Sequence, residues 1–149
     1  MNKVYRHKPL ASDEYLGWVA ADGKVYESRF GPDKYVGHVD LRDGRVYESR
    51  FGPDDYIGRV DIESGKIYFH KFGPDDYLGR VEKDGDLRYH KAAAPDEYLG
   101  KVTEMVSWVH AGGAFLLLML PAIQEGAQKT APKPEPSPPK TGGETKEKK

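Results

Sequence analysis

Cysteine is absent from all 149 residues, which excludes a disulfide framework and any thiolate metal site. An excess of charge is missing too. The 23 Lys and Arg stand against 24 Asp and Glu, a net charge of −1, so the chain offers no footing for a nucleic-acid partner. The opening residues Met1–Pro9 are basic but contain no apolar run, so no secretory leader is read there and a cytoplasmic body is expected. No Ser/His/Asp, phosphate-loop or paired-carboxylate grouping stands out. His7, His38, His70, His90 and His110 are scattered without zinc-ligand spacing. The acidic positions Asp33, Asp54, Asp55, Asp75, Asp76 and Asp96 follow no calcium-loop pattern and read as turn caps. These absences lead to the expectation of a non-enzymatic chain with no cofactor and no metal.

What is present is a repeat of about 21 residues. Its full copies run Tyr15-Leu-Gly-Trp-Val to Gly-Lys-Val-Tyr26, Tyr35-Val-Gly-His-Val to Gly-Arg-Val-Tyr47, Tyr56-Ile-Gly-Arg-Val to Gly-Lys-Ile-Tyr68, and Tyr77-Leu-Gly-Arg-Val to Gly-Asp-Leu-Arg-Tyr89. Alternating Tyr, Gly and Val over a few residues predicts a short strand, and the Gly-x-Val-Tyr piece predicts a second. Between them lie Asp-Gly or Ser-Gly pairs, which supply the positive φ of a tight hairpin turn. Phe-Gly-Pro-Asp segments join one hairpin to the next, where proline ends a strand.

Two half-copies are left over, Lys3-Val-Tyr5 and Tyr98-Leu-Gly-Lys-Val102, and they are the complementary halves of one unit. Pairing Lys3–His7 with Tyr98–Glu104 gives ten strands, five hairpins and no free edge. The expected fold is therefore mainly β, a closed ring or shallow barrel over residues 1–104. Period 2 places Gly17, Gly37, Gly58, Gly79 and Gly100 on one face with Val19, Val39, Val60, Val81 and Val102. The opposite face carries Trp18, His38, Arg59, Arg80 and Lys101, which is mostly charged, so the Gly/Val face is the inner one. A ring of strand glycines implies that something approaches the backbone closely along the axis.

Residues 105–123 supply a candidate for that object. They are apolar around most of a helix, with Trp108, Phe115, Leu116, Leu117 and Leu118 among its large side chains. Nineteen residues make a helix of about 28 Å, enough to span a bilayer core. Two placements stay open: a helix threading the barrel, or a membrane anchor. In the second, Arg59, Arg80 and Lys101 would be the basic positions facing lipid. Residues 124–149 are rich in Pro, Lys and Glu without an aromatic, and read as a disordered tail.

The five in-phase Tyr-x-Gly-x-Val and Gly-x-Val-Tyr pairs with their Phe-Gly-Pro-Asp connections resemble the β-flower proteins, small bacterial barrels of hairpin petals, here in five-fold form. The likeness covers about residues 2–104. In plan the β-flower family is similar to Tubby C-terminal and scramblase-like barrels, which enclose an apolar C-terminal helix, and it implies a link to lipid without a defined activity. The expected function is a non-catalytic, membrane-associated binding or scaffolding module, with membrane lipid or a protein as partner. The alternative is a soluble protein- or glycan-interaction module whose helix is only the barrel core.

Overall fold

A computed structural model describes residues 2–124. Ten strands follow one another: β1 Asn2–Arg6, β2 Glu14–Val19, β3 Lys24–Glu27, β4 Lys34–Val39, β5 Arg45–Glu48, β6 Asp55–Val60, β7 Lys66–Phe69, β8 Asp76–Val81, β9 Asp86–Tyr89 and β10 Glu97–Thr103. Each pairs antiparallel with its sequence neighbours, and β1 pairs with β10, so the sheet closes into a barrel. The closing register runs from Lys3↔Thr103 to Arg6↔Gly100. The two half-repeats thus form the fifth petal, and no strand edge is left to pair with another chain.

The tight turns within petals rest on glycine. Gly23 and Gly44 adopt φ of 96° and 79°, and a Cβ on Gly44 would lie 2.1 Å from the carbonyl oxygen of Val60. That approach is used. The Val60 amide donates to the Gly44 carbonyl at 2.8 Å, and Val39 and Val81 do the same to Gly23 and Gly65. Each turn is therefore stapled to the next petal. On the other side of each petal a bulge intervenes. Val4 faces Gly17 while Tyr5 faces Tyr15, leaving Leu16 as the extra residue, and an added residue of this kind bends and twists a strand.

One register departs from the repeat. The second-strand tyrosines Tyr5, Tyr26, Tyr47 and Tyr68 face Tyr15, Tyr35, Tyr56 and Tyr77. In the fourth petal Arg88 faces Tyr98 instead, and Tyr89 turns inward to pack on the core, as Phe69 does in the third. The hairpin pairing Arg80↔Arg88 and Val81↔Leu87 fixes this slip, because moving a strand by one residue exchanges its faces.

Inside, Val19, Val39, Val60, Val81 and Val102 pair with Val25, Val46, Ile67, Leu87 and Val4 to form a buried aliphatic belt. The centre is filled by a helix, α1 Trp108–Ala114, which continues through a π-helical turn Phe115–Met119 and helical residues 120–124. Residues 109–120 are buried. A Cβ on Gly17 would meet the Tyr26 carbonyl at 2.1 Å and the Leu118 side chain at 3.1 Å, and Gly37, Gly58 and Gly100 face Leu117, Leu116 and Met119 in the same way. The glycine ring makes room for the leucines. Gly79 has only the backbone of Arg88 and Tyr89 as its nearest neighbours. The π turn lies directly before Pro121, which lacks an N–H and would clash with the carbonyl of Leu117 in a regular α-helix.

The second placement left open by the sequence, a membrane-spanning or membrane-lying segment 105–123, is corrected by this packing. The apolar surface that suggested lipid is spent on the barrel wall. Among the described residues, no helix is long and apolar enough to cross a membrane. The expected tail lies outside the described residues from residue 125 onward.

Two buried polar side chains tie the helix to the wall. His110 lies within 2.8 Å of Ser107 Oγ through Nδ1 and 3.0 Å of the Ala21 carbonyl through Nε2. Its Nε2–H donates to the carbonyl, so its Nδ1 accepts from the serine hydroxyl. Asn2 donates to the Val19 carbonyl and accepts from the Val106 amide at 2.9 Å. Both have partners, as buried polar groups require.

Two outcomes follow. Ending the chain at Glu104 removes the core of the barrel, and the truncated protein will lose its cooperative thermal transition in circular dichroism. A retained sharp transition would show that the ring stands without the helix. For Gly112→Ala, helix propensity favours alanine by about 1 kcal/mol. The new Cβ, however, would sit 2.2 Å from Val60 Cγ2, and overpacking costs about 1–3 kcal/mol. The substitution will lower the melting temperature.

Candidate functional site

The five connections between petals all lie at one end of the barrel, because the strands alternate in direction around a closed ring. In three of them the run Phe-Gly-Pro-Asp makes the tip. Gly31, Gly52 and Gly73 take φ near +95° to +99°, and that conformation suits the third position of a type II turn, with the preceding Phe at the outermost point. Phe30, Phe51 and Phe72 are 106–109% exposed, and Leu10 at the tip of the first connection is 106% exposed. Leu10 holds φ of 66° without being glycine, a backbone position that costs roughly 1–3 kcal/mol. The fifth connection, Lys91-Ala-Ala-Ala-Pro95, is apolar but small. These side chains are the most exposed large apolar groups among the described residues, and all are on one rim.

A cation paired with an acid stands beside every tip. Lys8 lies 3.5 Å from Glu14, Arg29 3.2 Å from Glu27, Arg50 3.1 Å from Glu48, Lys71 2.8 Å from Asp76 and Lys91 3.2 Å from Glu97. The helix emerges at the same end. Arg6 on the wall donates to the Ala122 carbonyl at 3.3 Å, placing a positive charge near the negative end of the helix dipole. Three small cavities of about 210, 360 and 370 Å³ surround this helix end, bordered by Leu117, Leu116 and Leu120 respectively.

The outer wall carries a girdle of stacked rings and cations. Tyr5 packs on Tyr15, Tyr26 on Tyr35, Tyr47 on Tyr56 and Tyr68 on Tyr77, with ring centroids 5.5–5.7 Å apart. Between these pairs, Trp18 stacks on Tyr26, His38 stacks on Tyr47, and the Arg59 guanidinium lies 4.1 Å over Tyr68. Burial, followed by nearby aspartates, pushes the hydroxyls of Tyr15, Tyr35, Tyr56 and Tyr98 above their ordinary ionisation range. The rings therefore stay neutral and packed.

The loop aspartates do not cap their own turns as the sequence suggested. Asp33 accepts from Trp18 Nε1 at 2.8 Å, Asp54 lies 3.6 Å from His38, Asp75 accepts from Arg59 at 3.2 Å, and Asp96 pairs with Arg80. Each reaches back to the outer residue of the preceding petal. Capping falls to other acids: Asp22, Asp40, Asp61 and Asp84 accept from backbone amides two residues on. Burial would raise Asp96, but the hydrogen bonds from Arg80 and His90 outweigh it and hold the carboxyl below its usual range.

Arg59, Arg80 and Lys101, the basic positions expected to face lipid in the anchor placement, lie on this side wall. Arg59 and Arg80 are engaged by acids, Arg80 also with Glu82 at 2.9 Å. The inner Gly and Val positions and the five large helix residues lie together in or around the barrel axis. Trp108 is partly buried and covers Gly65. Two features escaped the sequence reading. One is the apolar rim, whose phenylalanines had read only as part of the links between hairpins. The other is the cluster Glu82, Asp84 and Asp86 at the last tight turn. There burial, then the neighbouring Asp84, pushes Asp86 upward, while Arg80 and Arg88 occupy Glu82.

The girdle pairs are half exposed, so their contribution is small. A double-mutant cycle on Arg59→Ala and Asp75→Ala, followed by chemical denaturation, will give a coupling of about 0.2–1 kcal/mol.

Comparison with known proteins places the chain in no group: no family model, no curated protein and no solved structure matches it.

Proposed function

We propose that this chain is a non-catalytic, membrane-associated binding module, a five-fold β-flower barrel that touches the bilayer with the rim of its inter-petal loops. The observation that carries this reading is the confinement of Leu10, Phe30, Phe51 and Phe72 to one end, fully exposed on turns that hold them outward. The tips are separate wedges, a petal apart, and do not merge into one patch. Separate wedges suit a fluid apolar medium, whereas a protein partner would need matching pockets. Fully burying a Phe or Leu is worth about 1.5–3 kcal/mol, and the ring as a whole supports weak, reversible docking at the headgroup boundary. The module sits on the cytoplasmic face as a peripheral protein, with the helix as its core.

The paired rim charges decide the kind of binding. Because Lys8, Arg29, Arg50, Lys71 and Lys91 each have an acid partner, attraction to anionic lipid is small and apolar insertion dominates. A second reading, a soluble protein- or glycan-interaction module, draws its support from the burial of residues 109–120 inside the barrel.

Flotation of the full chain with vesicles separates the two. The protein will rise with phosphatidylcholine vesicles, and adding phosphatidylglycerol or salt will change the bound fraction little. The triple substitution Phe30→Ser, Phe51→Ser and Phe72→Ser, with an unchanged circular dichroism spectrum, will weaken binding by at least about tenfold. A wild-type protein that stays at the bottom of the gradient would refute the membrane reading and leave the soluble one.

A further inference from the structure

The petals are not equivalent at the outer position just before the inner valine. Four carry His38, Arg59, Arg80 or Lys101, and the first carries Trp18. That indole is held in place. Tyr26 covers one face at 4.5 Å with the planes 15° apart, and Nε1–H donates to Asp33 at 2.8 Å. The other side of the ring borders a groove of about 680 Å³ on the barrel wall, which Lys3, Tyr15, Asp33 and Val106 also line and Tyr26 does not.

The groove exists here because the ring closes here. Four petals, that of Trp18 included, end in a tight turn. The fifth, β10 with β1 beside the Trp18 strand, ends in the connection to the helix, which the Asn2 side chain holds by accepting from the Val106 amide. Val106 then forms the lower wall, 65% exposed. The result is an aromatic platform with polar groups at its edge: the Asp33 carboxylate, the Tyr15 hydroxyl and the Lys3 ammonium. One acid and one base leave the groove near neutral, and Lys3 disfavours a cationic occupant.

We propose that this groove is a monosaccharide site, taking a neutral hexopyranose with its C–H face on Trp18 and its hydroxyls on Asp33, Tyr15 and Lys3. A pyranose has the same division, an apolar face ringed by hydroxyls. The platform is fixed before the ligand arrives, so little side-chain freedom is lost on binding. For a ligand of about a dozen heavy atoms, the dissociation constant falls on the order of 1 mM. This site uses Asp33 of the second connection but not the exposed Phe30, and it needs no bilayer.

The test is a titration of the full chain, followed by ¹H–¹⁵N spectra, with methyl β-glucopyranoside, methyl β-galactopyranoside and N-acetylglucosamine in turn. The Trp18 indole N–H and the Asp33 amide will shift saturably with at least one sugar, while the Trp108 indole, which covers Gly65 on the opposite side of the ring, stays still. Trp18→His, which borrows the residue of the second petal and keeps the fold, will weaken binding at least tenfold and identifies the Trp18 signal by its loss. Absence of a saturable shift with all three sugars, or equal binding by the His variant, overturns the site.

Discussion

Everything in this molecule depends on a helix fitting inside a ring of hairpins. Neither part can bury its apolar face alone. Five hairpins closed edge to edge leave an open centre lined by valines, and a helix that is apolar all round has no water-compatible side. The fit is achieved with glycine on both partners. Wall glycines at 17, 37, 58 and 100 admit Leu118, Leu117, Leu116 and Met119, while helix glycines at 112 and 113 admit Val60 and Val39. Side chains on one partner fill the gaps left by their absence on the other, which is how a close-packed interior is reached without voids.

That arrangement divides the labour between the inside and the outside. The helix occupies the axis, so binding chemistry falls to the surfaces around it: the loop rim, the tight-turn end and the side wall. Repetition governs the rim and the wall. The same Phe-Gly-Pro-Asp connection puts its Phe at the rim and sends its Asp back to the neighbouring petal, so one short segment joins petals and shapes the contact surface. Where the repeat is broken, at Trp18, at Arg88 and at the seam between β1 and β10, the wall acquires features no other petal has.

Charge plays a secondary part. The chain is rich in ionic side chains, but they are consumed in local pairs such as Lys71 with Asp76 and Arg59 with Asp75. Exposed pairs of this kind add little stability. Their larger effect is to keep any one sign of charge from gathering on the surface, which leaves apolar and aromatic groups as the distinguishing chemistry.

The hairpins, their turns and the closure by the termini were legible in the sequence, because glycine at a tight turn, alternation at period 2 and complementary half-repeats are local or additive signals. The inner face was legible for the same reason: Gly and Val at 17 and 19 recur in phase through 100 and 102. The place of residues 105–123 was not, since a helix apolar all round reads alike whether lipid or a barrel surrounds it, and only the matched positions of glycine and leucine decide. Nor was the role of Phe30, Phe51 and Phe72, because exposure is a property of where a turn points once the ring has closed. The partners of Asp33 and Asp75 likewise belong to the tertiary structure, for they lie one petal away. Local chemistry determined the petals; the contacts made across the ring decided what each petal presents.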